Sequence, residues 1–201
     1  MMNFSPRISR FALPFVAVLT AMMLPSVLHA HPLPGGHGGF FGGAAHPLQG
    51  LDHILAMIAV GIWAGQAGGK ARWYLPLSFV AVMMIGGLLG VAGITIPMVE
   101  PGIIGSVLVL GVLIAAAVRM PLPAAMAIVG LMALFHGHAH GTEMPAGTPG
   151  VLYGGGFLLS TALLHLAGIG MTAVMARVAR PVAVRLAGAA VIAGAAVLIV
   201  W

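Results

Sequence analysis

The chain has 201 residues, of which 61% are hydrophobic and only 5% are charged. Soluble domains carry about 25% charged residues, so this composition excludes a soluble globular protein and indicates an integral membrane protein. Eight basic and three acidic residues are too few to form a surface that follows a nucleic-acid backbone, so we expect no nucleic-acid partner. Cysteine is absent, which excludes disulfides, thiolate metal sites and cysteine nucleophiles.

The first 30 residues have the pattern of a secretory signal peptide. Two arginines precede an apolar core at residues 11–24, and residues 28–30 form a small-residue cleavage site. Leucine is unusual three residues before a cleavage point, so an uncleaved first helix stays open as an alternative. Residues 31–45 follow with six glycines, two prolines and the histidines His31 and His37. We expect a flexible periplasmic lead-in, whose histidines either collect metal ions loosely or are incidental.

Six apolar spans are predicted in residues 46–201, each close to the ~20 residues needed to cross ~30 Å of hydrocarbon. They lie at about residues 47–66, 73–93, 102–119, 122–140, 151–175 and 182–201. Because the connections are short, we expect an all-α integral membrane protein: one six-helix transmembrane bundle, after an N-terminal signal peptide.

The charged residues predict the orientation of these spans. Three alternate connections contain the basic residues Lys70, Arg72, Arg119, Arg177, Arg180 and Arg185. The positive-inside rule places these connections in the cytoplasm. The opposite connections contain Glu100 and Glu143 and no basic residue. The protein is therefore predicted to span a bacterial inner membrane, with both ends of the mature chain in the periplasm.

The end of the fourth predicted span is rich in histidine. On a helix, His136, His140 and Glu143 follow one another at four and three positions and line one face, whereas His138 points elsewhere. Imidazole and carboxylate ligands suit a divalent transition metal such as nickel, cobalt or zinc. Ionisable residues inside a membrane are by default functional, although a solvated histidine-rich loop just outside it is the simpler alternative.

The first predicted span carries a second group of ionisable residues. Proline favours the first helical turn, so the helix is predicted to begin at about Pro47. His46 and His53 are seven residues apart and therefore share a face, with Gly50 leaving space between them. Asp52 would be the only acidic residue inside a span, and a lone carboxylate there is costly unless it is paired or protonated.

Depth is predicted to bring the two groups together. Asp52 and His53 lie roughly 8–9 Å along the first helix, and His136 lies roughly 9 Å from the outer end of the fourth. We therefore expect one site in the outer half of the membrane. His165 in the fifth span would lie deeper, either as a second position on an inward path or as a core histidine that is bonded internally.

Two motifs resemble the HupE/UreJ family of nickel transport proteins, which are associated with hydrogenase and urease. They are His46-x5-Asp52-His53 and Phe135-His136-Gly137-x-Ala139-His140-Gly141-x-Glu143. The resemblance includes the N-terminal signal and the six spans, and so covers nearly the whole chain. It implies a secondary permease for Ni²⁺, with Co²⁺ as a second candidate, no permanent cofactor, and a functional link to hydrogenase or urease assembly. By position it implies metal-binding roles for His46, Asp52, His53, His136, His140 and Glu143.

The sequence also bears on function classes other than transport. A phosphate-binding Gly-x4-Gly-Lys motif is absent, so the chain itself is not expected to hydrolyse ATP. An intramembrane metal-dependent hydrolase could hold zinc and use Glu143 as the base, but Ser78, Ser106 and Ser160 stand in separate spans without a nucleophile motif. A metal sensor or chaperone would lack a soluble domain through which to signal. We therefore expect a protein that is not an enzyme; metal preference and oligomeric state stay open.

Overall fold

The computed structural model describes residues 39–178 and 180–200, so the predicted signal peptide and most of the predicted lead-in lie outside the described residues. Within those ranges the chain is helical and contains no strand. A 3-10 helix at His46–Leu48 separates the first two of seven α-helices. These are α1 (Phe40–Ala45), α2 (Leu51–Ala67), α3 (Ala71–Val91), α4 (Val99–Ala115), α5 (Leu122–Thr142), α6 (Gly150–Val178) and α7 (Arg180–Val200).

Four of these helices, α3, α5, α6 and α7, are long and apolar enough to cross a membrane. The segments Phe40–Leu48 and Leu51–Ala67 form a fifth candidate span if they are counted together, and they are bent by 85° relative to each other. Helix α4 is apolar but has only 17 residues. The fold is thus that of a multi-pass helical membrane protein with four or five candidate spans, where the sequence predicts six.

Helix α2 lies at the centre of the bundle. Every residue from Ala56 to Ala64 is buried, as expected for a helix that is apolar all round. Its close neighbour is α6, because Gly61 and Gly168 face each other: a Cβ atom on either would collide with the backbone of the other helix. The outer helices instead expose large apolar side chains such as Leu88 and Val174, which suit contact with lipid.

Glycines also hold α3 against α5. A Cβ atom at Gly86 or Gly90 of α3, or at Gly137 or Gly141 of α5, would collide with the backbone of the opposite helix. Small residues at this spacing allow helices to pack closely. The two glycines of the histidine-rich segment therefore occupy the face of α5 that meets α3.

Residues 40–45, part of the predicted flexible lead-in, form helix α1 and pack on α6. A Cβ atom at Gly43 would collide with the backbone of Tyr153, and one at Gly156 with the backbone of Phe40. The Ser160 hydroxyl donates a hydrogen bond to the Ala44 carbonyl over 2.6 Å. Close contact between glycines and backbone, which composition alone does not reveal, thus stabilises this segment as a helix.

The first predicted span begins later than expected. Pro47 lies in the 3-10 helix, and α2 starts only at Leu51, because Gly50 has an extended backbone with φ −103° and ψ 124°. His46 and His53 are therefore not on one face of one helix. Asp52 lies in the first turn of α2 rather than roughly 8–9 Å along a helix that begins at Pro47.

Candidate metal site

His46, His140 and Glu143 meet where the 3-10 helix approaches the end of α5. The Nε2 atom of His46 lies 3.2 Å from Oε2 of Glu143, and the ring centroids of His46 and His140 are 4.8 Å apart. One potential ligand atom from each of the three residues lies within 4.8 Å of the other two. Small side-chain adjustments would bring all three onto one ion. His140 is buried, while 53% of the Glu143 side chain is exposed.

His53 lies next to this group and extends it into the bundle. Its ring centroid is 4.1 Å from that of His140 and 5.0 Å from that of His136. Its Nδ1 atom donates a hydrogen bond to Oδ1 of Asp52 over 2.8 Å. This bond leaves the lone pair on Nε2, which is buried and has no hydrogen-bond partner among the described residues. A carboxylate that orients a histidine in this way is common behind metal ligands.

A serine orients His136 in a similar way. The Ser106 hydroxyl donates its hydrogen to the Ile103 carbonyl over 2.7 Å and lies 2.8 Å from Nε2 of His136. A hydroxyl has one hydrogen, so Ser106 accepts the Nε2–H bond, and the lone pair of His136 is on Nδ1. That atom is buried and has no hydrogen-bond partner among residues 39–178 and 180–200. His136 thus offers a second free ligand atom.

The His140 ring is buried, and neither of its nitrogens has a hydrogen-bond partner in the described part of the chain. The Phe157 ring packs against it with a centroid distance of 4.2 Å. Leaving a buried polar atom without a partner costs about 1–3 kcal/mol. The adjacent imidazoles of His53, His136 and His140 each have such a nitrogen atom. A bound cation would supply the missing interaction.

A cavity of about 220 Å³ opens onto these residues. It is lined by His46, Gln49, Gly50, Asp52, His53, Glu100, His140 and Glu143. All three acidic residues of the chain are in this set, so its negative charge is concentrated at one opening. Gly50 leaves room for two of the polar groups: a Cβ atom there would lie 2.5 Å from Oδ1 of Asp52 and 2.9 Å from Nδ1 of His53.

The structure brings together the six residues that the sequence singles out. It also adds Glu100 and Ser106, which the sequence does not single out as site residues. Glu100, in the first turn of α4, reaches the cavity although the sequence suggests only a role in topology. Ser106 contacts His136 although no motif surrounds it. The scarcity of acidic residues could have indicated Glu100. With only three acidic residues in the chain, each of them is a candidate for the site.

The remaining histidines lie apart from this cluster or outside the described residues. The Nε2 atom of His138 lies 2.8 Å from the Ile94 carbonyl, to which it donates, so this side chain points away from the site, as predicted. His165 is buried deeper, against Phe79. The other three, His29, His31 and His37, precede the described residues.

Comparison with known proteins assigns the chain to a family. Residues 19–198 match the family described as HupE / UreJ protein. The chain belongs to the HupE/UreJ family. Protein HupE from Rhizobium leguminosarum bv. viciae is 50% identical over 183 residues, which cover 90% of this chain and 95% of that relative. No solved structure matches the chain. Both motifs of this HupE/UreJ protein lie within the matched residues.

Proposed function

We propose that this protein is a secondary permease that carries Ni²⁺ from the periplasm to the cytoplasm, with Co²⁺ as a second substrate. One observation carries the proposal: a cavity lined by every acidic residue of the chain reaches two buried imidazoles, those of His53 and His140. The ring of His136 lies next to that of His53, and all three imidazoles have free ligand atoms. Acidic residues at the opening attract a dication, and the imidazoles replace its water ligands. The proposed metal-binding residues are His46, Asp52, His53, His136, His140 and Glu143.

The chemistry of these ligands suits a transported ion. Imidazole binds nickel, cobalt and zinc well, and carboxylates bind harder cations as well. The chain has no cysteine, and without thiolates such a site should release a transition metal more easily than a structural metal centre does. Selection between nickel and cobalt then depends on the geometry of the occupied cluster.

The membrane potential is a sufficient energy source. A potential of about 100 mV, negative inside, contributes ~2.3 kcal/mol per charge, and thus ~4.6 kcal/mol for a dication that moves inward. The sequence contains no phosphate-binding Gly-x4-Gly-Lys motif. We therefore propose transport down the electrochemical gradient, without ATP hydrolysis by this chain.

The proposed orientation follows from the charged residues. The cavity lies at the end of the bundle that contains Glu100 and Glu143, opposite the basic connections, and the positive-inside rule places it in the periplasm. Helix α4 is about 26 Å long at ~1.5 Å per residue. Added to the five candidate spans, it would bring the number of spans in this inner-membrane protein to six. Delivered nickel would supply maturation of hydrogenase or urease.

A metal-dependent hydrolase is the competing function, and one contact favours it. Ser106 lies 2.8 Å from a ring nitrogen of His136, as a serine nucleophile lies against its base. However, the Ser106 hydrogen is directed at the Ile103 carbonyl, so His136 is not placed to remove it. The pair is therefore better explained as the orientation of a metal ligand.

Reconstituted protein tests the proposal. Purified wild-type protein is placed in liposomes that contain a nickel-quenched dye, and Ni²⁺ is added outside with and without an inside-negative potential. We expect nickel to enter, faster with the potential, and not to enter protein-free liposomes. Equal rates in both kinds of liposome would refute transport. Stoichiometric zinc retained through purification, together with cleavage of a peptide or lipid, would establish the hydrolase instead.

A further inference from the structure

His165 is a buried histidine that the proposed outer site does not use. It stands 15 residues after the first residue of α6, about 22 Å along the helix axis. Its side chain is 1% exposed, and neither ring nitrogen has a hydrogen-bond partner among the described residues. A neutral imidazole always has a lone pair on one nitrogen. His165 therefore presents an unused ligand atom inside the bundle, at a cost of about 1–3 kcal/mol for the buried polar group.

A second buried polar group accompanies it one helical turn earlier. Thr161 is fully buried, and its hydroxyl has no hydrogen-bond partner in residues 39–178 and 180–200. Residues four apart on a helix are neighbours on one face, with Cβ atoms ≈ 5–6 Å apart. By contrast, the hydroxyl of Ser160 next to it is bonded to the Ala44 carbonyl. The Thr161 oxygen and a His165 ring nitrogen are thus two unused ligand atoms on one face of α6.

Phe79 connects this position to the outer cluster. The centroid of its ring is 5.8 Å from that of His136 and 5.1 Å from that of His165, with the ring edge-on to His165. His136 is the most deeply buried histidine of the outer cluster, with no exposed surface. The Phe79 ring thus packs against both histidines, so a single side chain links His165 to the outer cluster.

We propose that His165, together with the Thr161 hydroxyl, forms a second, inner binding position for Ni²⁺ during its passage. The ion reaches it from His136, past Phe79. This inference rests on the proposed transport function. One imidazole and one hydroxyl bind a dication more weakly than a cluster that includes carboxylates, and conduction requires positions that an ion can both occupy and leave.

Two variants and one matched control test the inner position in purified protein. His165→Leu removes the ring nitrogens, Thr161→Val removes the hydroxyl at nearly constant shape, and Ser160→Ala removes a neighbouring hydroxyl that is already bonded. Each is measured for Ni²⁺ binding by titration calorimetry in detergent, and for Ni²⁺ entry into dye-filled liposomes. We expect His165→Leu to lower the rate of entry ~10-fold or more, because loss of even a hydrogen-bond partner of a metal ligand typically costs that much. The affinity of the outer site should stay unchanged. Thr161→Val should slow entry by a smaller factor, and Ser160→Ala should not slow it.

Two outcomes would overturn the inner position. In the first, His165→Leu transports nickel at the wild-type rate. In the second, it loses outer-site binding as well, which would assign His165 a role in packing the cluster. If His165→Leu does not fold, His165→Phe, which keeps a ring without ligand atoms, replaces it in the same comparison. Wild-type protein that fails to transport would instead refute the proposed function, so the two failures are distinguishable.

Discussion

The ring of His46 lies beside the Glu143 carboxylate, with 3.2 Å between Nε2 and Oε2, although 97 residues separate them. This contact joins the 3-10 helix that precedes α2 to the residue that follows the end of α5. It closes the outer side of the cluster, since the His46 ring also packs against His140. In the proposed transport cycle, an arriving ion competes for both partners, and the contact marks the point where nickel first meets protein ligands.

Glu143→Gln should weaken nickel binding. The amide can still accept a hydrogen bond from His46, but it lacks the negative charge that holds a dication, so we expect affinity to fall by about 10-fold or more. Calorimetric titration of the purified protein with Ni²⁺ measures this. Thr142→Val is the control, because the Thr142 hydroxyl bonds only to the Ala139 carbonyl among the described residues. Equal affinities in the two variants would contradict a ligand role for Glu143.

Gly50→Ala should block the site by steric collision. The added Cβ atom would lie 2.5 Å from Oδ1 of Asp52 and 2.9 Å from Nδ1 of His53, displacing both side chains. The backbone at Gly50 is extended, which alanine adopts without strain, so the folded state should persist. We expect cellular nickel uptake to fall ~10-fold at equal protein level. Gly105→Ala, where the added atom meets nothing within 4 Å among the described residues, should keep wild-type uptake. An equal loss of uptake in Gly105→Ala would contradict a specific block of the site at Gly50.

Ser106→Ala should release the orientation of His136. The ring would lose the partner of its Nε2 atom and could turn its free nitrogen away from the cluster. Loss of such a partner typically costs 10–100-fold in metal affinity. Ser78→Ala, whose hydroxyl donates to the Met126 carbonyl over 3.0 Å, removes a comparable hydrogen bond from α3. We expect similar unfolding temperatures for both, with nickel affinity lowered only in Ser106→Ala. Lowered affinity in both would reduce Ser106 to a packing residue.

Nickel transport should decrease in acid. A histidine side chain with an unperturbed pKa changes its charge between about pH 5 and pH 8. A protonated imidazole cannot bind a metal, so protons compete with nickel. The sign is therefore a fall in uptake as the pH falls. The measurement is nickel entry into liposomes from about pH 7.5 to pH 5.5, at a membrane potential clamped by potassium and valinomycin. A flat profile would contradict competition between protons and nickel over this pH range.

Much of the site could be predicted because its residues are so unusual in a membrane. A helix with His136 and His140 four residues apart must place them on one face, and matching depth suggested that Asp52 and His53 would join them. The break at Gly50 was not predictable, because Pro47 is equally compatible with a helix that starts there. That break moves His46 out of the helix and makes its contact with Glu143 possible.

The contributions of α4 depend on tertiary packing. Glu100 and Ser106 come from a helix whose position is set by contacts with its neighbours, such as Gly111 against Ile192 of α7. Nothing local to either residue indicates a neighbouring histidine. The helix α1 was missed for the same reason: its glycines look like a flexible segment until α6 is placed beside them.

Radioactive nickel uptake by cells that express wild-type protein or Asp52→Asn tests the central claim most directly. Protein levels are matched, and cobalt and zinc are added as competitors. Asparagine keeps the shape of Asp52 and an oxygen that can accept the His53 hydrogen bond, but it removes the negative charge. The proposed transport mechanism predicts that the wild type accumulates nickel, that cobalt competes, and that Asp52→Asn accumulates ~10-fold less or lower still. Equal accumulation in both would show that nickel does not pass through this site.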